Sequence, residues 1–319
     1  MIIDTHLHLV GSGWVRGKFL RSTSKAMSKR YNQVHGTNYT SSEYLDKVAR
    51  SYLDPDGDKL VDILDKAGVD VAVNFSVDWA TLTGEARVLN RDINKHFAEV
   101  AEKHPGYFWP LCALDPRRPD AVEQATEAVE KWGMKGFKLM PSAGFYPDAP
   151  EIWPFYDKVR EMGVPIVFHS GGWEIGWQYA QPMYIASAGE MYPEIPMIMA
   201  HAGLEAWPQA LLAASIMPNI YLDLSLSGQW SYWRDREKFY EWLRYMMDEA
   251  TAEKLLWATD WPGPNNWTPI DEWVDAFKNP KTNIKFSKEE MELVLGVNAQ
   301  KVFNIPDDFC DAKEKGNII

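Results

Sequence analysis

The chain has 319 residues, 46% hydrophobic and 24% charged, with a formal net charge of −12. That length suits one large domain or two small ones, and those fractions are ordinary for a globular core that needs no covalent staples. The acidic balance excludes the basic footprint that nucleic acid or an anionic membrane surface requires, and no apolar run approaches the length of a membrane span.

The first predicted element is a strand over Ile2–His6 that runs into Leu7 and His8. Side chains alternate along a strand, so His6 and His8 share a face. The start of the chain is unlike a secretory leader, since Asp4 and His6 follow only three apolar residues. The two cysteines, Cys112 and Cys310, stand in unlike surroundings and are not expected to pair. Both features set the expectation of a cytoplasmic protein. A long segment, Leu9 to about Gly57, follows before the first regular helix. Seven more apolar runs come after it: Val69–Phe75, Tyr107–Leu114, Gly136–Met140, Val164–His169, Pro196–His201, Asn219–Leu224 and Lys254–Asp260. Near-continuous apolar runs of this length are how buried parallel strands read.

Amphipathic stretches fill the gaps and predict helices. These are Asp58–Lys66, Glu85–Lys103, Asp120–Trp132, Pro150–Glu161, Gln178–Met191, Leu204–Ala214, Asp235–Asp248 and Pro269–Phe277. Several end at a glycine, the usual C-terminal stop. Most strand-to-strand steps run roughly 25 to 37 residues, the size of one βα unit. Eight strands alternating with eight helices predict an α/β fold, a (β/α)8 TIM barrel, as a single domain over residues 1–319. The Leu9–Gly57 segment is then a long insertion in the first βα loop, and Lys288–Val302 an extra C-terminal helix. A doubly wound open sheet is disfavoured, because no Gly-x-Gly-x-x-Gly follows any strand.

In such a barrel, catalytic groups come from the C-terminal ends of the strands. Four of the seven histidines stand there: His6, His8, His169 and His201. Asp260 ends strand eight and Lys138 lies on strand four. His6, His8, His169 and Asp260 offer three nitrogens and a carboxylate to one divalent ion, with an open position for chemistry. Zn2+ is the default and Mn2+ the alternative. The expected chemistry is a metal-activated water and a polarised substrate oxygen. His201 and Asp260 are the candidate catalytic groups, His201 as acid, base or orienter of the reacting oxygen.

Four motifs join those ligands: Ala-Leu-Asp-Pro-Arg at 113–117, Gly-Phe-Lys-Leu-Met-Pro at 136–141, Ala-His-Ala-Gly at 200–203 and Ala-Thr-Asp-Trp-Pro at 258–262. Together with Gly-Val-Asn-Ala-Gln-Lys-Val-Phe at 296–303 they resemble the amidohydrolase superfamily. The similarity is closest to its amidohydrolase-2 branch, which includes amino-carboxymuconate-semialdehyde decarboxylase. It covers nearly the whole chain, least well the insertion. The resemblance implies hydrolysis at a carbonyl or non-oxidative loss of CO2 from an unsaturated or aromatic acid. Hydrolysis of a small carboxylated lactone or amide is the leading expectation, and decarboxylation is the alternative. Other branches carbamylate a strand-four lysine between two metals, which would put Lys138 in the metal site. The resemblance also implies a homodimer.

The remaining candidates concern a small anionic, aromatic substrate. Lys138 is expected to bind its anion, or to turn its amine to Asp115 or Asp223. Arg117 is a candidate carboxylate clamp. In the insertion, Arg16, Lys18, Arg21, Lys25, Lys29 and Arg30 all precede the first acid, Glu43. They suggest a basic lid that steers an anion, with Arg16 and Lys18 as contacts. Eight of the 15 tryptophans follow strand ends: Trp14, Trp79, Trp173, Trp177, Trp230, Trp233, Trp261 and Trp267. They suggest an aromatic wall, with Trp173 and Trp261 as the substrate contacts.

Overall fold

The structure is a computed structural model that describes residues 1–172 and 175–313, without the side chains of 18, 19, 21 and 22. Its strands are β1 (Ile3–Leu7), β2 (Val71–Asn74), β3 (Phe108–Pro110, resuming as Cys112–Ala113), β4 (Phe137–Leu139), β5 (Ile166–Phe168), β6 (Met197–Met199), β7 (Ile220–Asp223) and β8 (Leu255–Leu256). Each pairs in parallel with the next in chain order. The β3 strand bends at Leu111, so its first part pairs with β2 and its second with β4. The ring closes between the ends of β8 and β1. There the Thr5 amide donates to the Trp257 carbonyl (3.2 Å), the Asp260 amide to that of His6 (2.8 Å) and the His8 amide to that of Trp261 (3.0 Å). This is the predicted eight-stranded barrel.

The strands are apolar on both faces because both are covered. Ile3, Val71, Val73, Leu111, Val167, Ile198 and Leu256 fill the interior. Leu7, Ala72, Phe108, Phe137, Phe168, Met197 and Leu222 face the helices. Helix boundaries follow local chemistry. The helix expected from Glu85 begins at Asn90. Glu85 is held in the loop instead, its carbonyl accepting from Arg16 (2.7 Å) and its carboxylate from Arg118 (2.6 Å). A helix not expected, Ser227–Arg234, precedes Arg236–Ala250.

The C-terminal segment runs as Lys288–Glu292, a π-type turn Leu293–Val297 and Asn298–Phe303. Ala299, Val302 and Phe303 join the interior cluster, so this segment plugs the barrel at the start of β1. A Cβ at Gly296 would lie 2.1 Å from the Met1 carbonyl oxygen, which explains glycine there. The other end, at the strand C-termini, is roofed by the insertion. Its main helix is α1 (Gly17–His35), followed by α2 (Ser41–Lys47), which the Thr40/Glu43 capping box starts. Arg30 fastens α1 by stacking 4.4 Å from the Trp230 ring centre. Among the described residues, no helix is long and apolar enough to cross a membrane.

Candidate metal centre

At the roofed end, β1 carries His6 and His8 side by side, with their Nε2 atoms 3.3 Å apart. Asp260 follows β8, and its Oδ1 lies 3.4 Å from His6 Nε2 and 3.2 Å from His8 Nε2. Asp260 has φ of 50°, a left-handed conformation that is costly for a residue with a Cβ. The bend turns its carboxylate back toward β1, and its amide is tied to the His6 carbonyl.

Hydrogen bonds behind the rings set their tautomers. The His8 Nδ1–H donates to the Phe75 carbonyl (2.8 Å), a group that can only accept. The His6 Nδ1–H donates to Asp223 Oδ2 (2.8 Å). In neutral imidazoles both Nε2 atoms are then lone pairs. Two lone pairs and a carboxylate oxygen facing each other at 3.2–3.4 Å repel one another unless a cation lies between them. Ligands bound at about 2.1 Å in tetrahedral or octahedral geometry sit about 3.0–3.4 Å apart, so the spacing fits one divalent ion. Burial, with Lys138 second, holds His6 well below its ordinary pKa and His169 down at about 3. Both rings are therefore neutral, as ligands must be. Burial also raises the Asp260 carboxyl.

His6, His8 and Asp260 are thus brought within ligand distance of one another. His169 lines the same cavity, with its ring 5.1 Å from that of His201, but its donor atoms lie outside that tight group. His201 follows β6 in a turn where it, Ala202, Gly203 and Leu204 all have positive φ. A Cβ on Gly171 would lie 2.3 Å from the Gly203 carbonyl oxygen, so glycine is required where the β5 loop crosses this turn. Burial, with His6 next, lowers the pKa of His201 as well.

Asp4 was missed by the sequence reading. Its buried carboxylate accepts from the Thr259 hydroxyl (2.5 Å), the Thr259 amide (3.0 Å) and the His6 amide (3.1 Å). It therefore fixes the β1–β8 junction that brings His6 to Asp260. Burial pushes its pKa up to about 7. The available signal was its place two residues before His6 and four before His8.

Lys138 is fully buried, and its amine has no hydrogen-bond partner among the described residues. The expectation that it reaches Asp115 or Asp223 fails because both carboxylates are filled. Asp115 is taken by the Thr81 hydroxyl and by the side chain and backbone amide of Arg117, and Asp223 by the His6 ring, the His201 amide and Ser225. The Lys138 amine instead lies 4.9 Å over the Phe75 ring, and burial lowers its pKa to about 8.

These groups stand at one end of a cavity of about 250 Å³. The rest of its wall is mainly apolar: Leu9, Val10, Trp14, Leu20, Met27, Leu45, Val77 and Met140. The described side chains of α1 in this wall are Leu20, Thr23, Ser24 and Met27, while Lys25 and Lys29 are exposed. Arg16 is committed elsewhere, its guanidinium donating to the Thr83 and Glu85 carbonyls (both 2.7 Å). Arg117 donates to Asp115, Thr81 and the carbonyls of Ala143 and Gly144, outside this wall. The side chain of Lys18 and the whole of Trp173 lie outside the described residues. Trp261 lines a separate cavity of about 140 Å³, which it shares with His8. Of the eight tryptophans, Trp14 alone lines the main cavity among the described residues. Trp230 packs on Trp233 and Trp267, and Arg30 lies over Trp230 and Trp267.

Comparison with known proteins adds to this geometry. The sequence matches the amidohydrolase family over residues 3–305. A gamma-resorcylate decarboxylase from Polaromonas sp. is 23% identical over 302 residues, 78% of this chain and 87% of that protein. A dihydroxybenzoic acid decarboxylase from Polaromonas sp., solved with manganese and the inhibitor 2-nitroresorcinol, is similar at a TM-score of 0.65 and 19% identity, over 95% of this chain and 97% of its own. A 5-carboxyvanillate decarboxylase from Sphingomonas paucimobilis is similar at a TM-score of 0.66 and 16% identity, over 96% of this chain and 99% of its own. At these identities the two solved structures establish the fold.

Proposed function

The chain belongs to the amidohydrolase family, and from that premise we propose that it is a metal-dependent decarboxylase of a small aromatic acid. The observation that carries this reading is the segregation of the cavity. Metal donors and one buried cation stand at one end, and an apolar wall makes up most of the rest. A molecule with oxygens at one edge and a flat carbon body fills such a space. The names of the similar proteins support decarboxylation ahead of the lactone or amide hydrolysis expected from sequence.

His6, His8, Asp260 and, on the adjoining wall, His169 would hold the ion. A divalent ion there supplies a Lewis acid for the substrate's oxygens. Imidazole and carboxylate donors suit Mn2+ as well as Zn2+, and manganese in a structural neighbour moves Mn2+ forward. Lys138 pairs with the substrate anion, since its buried amine has no hydrogen-bond partner among the described residues. When the carbon–carboxylate bond breaks, its electron pair stays on the ring carbon, CO2 leaves and a proton takes its place. Asp260, on the cavity wall, is placed to relay that proton from solvent, and His201 to accept a hydrogen bond from the neighbouring substrate hydroxyl. One domain would carry all of these groups.

The test is incubation of Mn2+-loaded protein with dihydroxybenzoates in D2O. Released CO2 with deuterium at the vacated carbon is expected. Turnover of lactones or amides without CO2 release from any aromatic acid would sink the reading.

A further inference from the structure

Behind His201 stands a group that neither the family motifs nor the ligand set uses. The His201 Nδ1 lies 2.8 Å from the Ser225 hydroxyl, and that hydroxyl is in close contact with Asp223 Oδ1. Asp223 Oδ1 also accepts from the amides of His201 (2.9 Å) and Ser225 (3.1 Å), while Oδ2 accepts from the His6 ring (2.8 Å). All three residues are buried. A carboxylate that receives four donors has none to give. Ser225 has a single hydroxyl proton, and Asp223 Oδ1, which can only accept, takes it. The hydroxyl can then only accept from His201, so the ring carries its proton on Nδ1.

We propose that Ser225 is a positioning residue that fixes His201 as the Nδ1–H tautomer, with a bare Nε2 facing the metal centre. His201 therefore enters the reaction as an acceptor of a proton or hydrogen bond and cannot donate from its resting form. His6 is held in the same tautomer by the other oxygen of the same carboxylate, so Asp223 sets both rings at once. The inference rests on the assignment of His201 to the reaction, and it holds whichever substrate bond breaks.

The test reads the ring directly. Ring-15N/13C-histidine-labelled, Zn2+-loaded protein is compared with Ser225→Ala and Ser225→Thr, and His201→Asn assigns the signal. In the wild type, Nδ1 is expected to show the protonated-type shift and Nε2 the lone-pair or metal-bound type. Ser225→Ala should populate the Nε2–H form and lower kcat about 10–100-fold with KM little changed, the usual size for such partners. Ser225→Thr, which keeps the hydroxyl, should restore both the shift and kcat. A protonated Nε2 in the wild type overturns the proposal, even if the alanine variant fails to fold. So does an alanine variant with unchanged tautomer and unchanged kcat. A protein that shows the expected tautomer but releases no CO2 would count against the decarboxylase reading alone.

Discussion

Single side chains at the barrel mouth are asked to do opposite things, and their variants should separate accordingly. His169→Ala should lose bound metal, measured per chain by elemental analysis, while its circular dichroism stays that of the parent, because the apolar interior does not include this ring. His201→Asn should keep the metal and lose turnover by about 10²–10⁴, the usual worth of a positioned acid or base. Full turnover in that variant would remove His201 from the reaction. Lys138 is the sharper case. A buried amine without a hydrogen-bond partner costs stability, so Lys138→Met should melt at the same temperature or higher, yet lose kcat/KM about 10–100-fold, the worth of one hydrogen bond to a charged group. The amine's pKa is lowered from 10.5 to about 8. The unfolded chain therefore binds the extra proton between those values, and the wild type gains stability as pH rises through that window. Below about pH 8 both states are protonated and the penalty is fully present. The melting advantage of Lys138→Met, in metal-free protein, should accordingly shrink from pH 8 toward pH 10. An advantage that grows with pH would show that the lysine has a partner.

At the scale of elements, the site is a seam between β1 and β8 under a helical roof. Asp4 joins the two strands through Thr259 and the His6 amide. Asp4→Ala should weaken metal binding about 10–100-fold although Asp4 touches no ligand atom, because it orients two that do. Unchanged metal affinity would leave Asp4 with a purely structural role. The roof is a separate matter. Arg30 lies between Trp230 and Trp267, at 4.4 and 5.5 Å from the ring centres. Such contacts are worth about 0.5–2 kcal/mol each. Arg30→Ala should speed amide exchange across Gly17–His35 and leave exchange in β4–β7 as it was, because the roof can loosen without opening the barrel. Of the basic residues that mark the insertion as an anion clamp, those with described side chains are turned elsewhere. Arg16 holds two loop carbonyls, Arg30 stacks on indoles, and Lys25 and Lys29 face solvent.

For the whole molecule, metal and fold are coupled by mass action and not by dependence. The barrel has its own apolar interior and a C-terminal plug, so chelation should lower the melting temperature without unfolding the protein at room temperature. An ion present at about 1,000 times its Kd would add about 4 kcal/mol. Elemental analysis should count about one ion per chain, and a count near two would draw Lys138 into the metal site. The periodic apolar runs and their spacing were enough to determine eight strands in a parallel ring, because a strand covered on both faces leaves no freedom in its composition. Histidines at the ends of those runs marked the metal centre for a related reason: in a parallel barrel all C-terminal strand ends meet at one mouth. What charged and aromatic side chains do there was decided only by tertiary structure. Arg117 and the loop tryptophans carry no periodicity; Arg117 found local carbonyls and a carboxylate, and Trp230, Trp233 and Trp267 found one another, before they could reach the cavity. Asp4 reads as an ordinary polar residue, and Ser225, at the end of the seventh strand, only as a candidate support for the site. Their roles are fixed only when the fold brings Thr259, 255 positions away, to Asp4, and Ser225, 24 positions away, to His201.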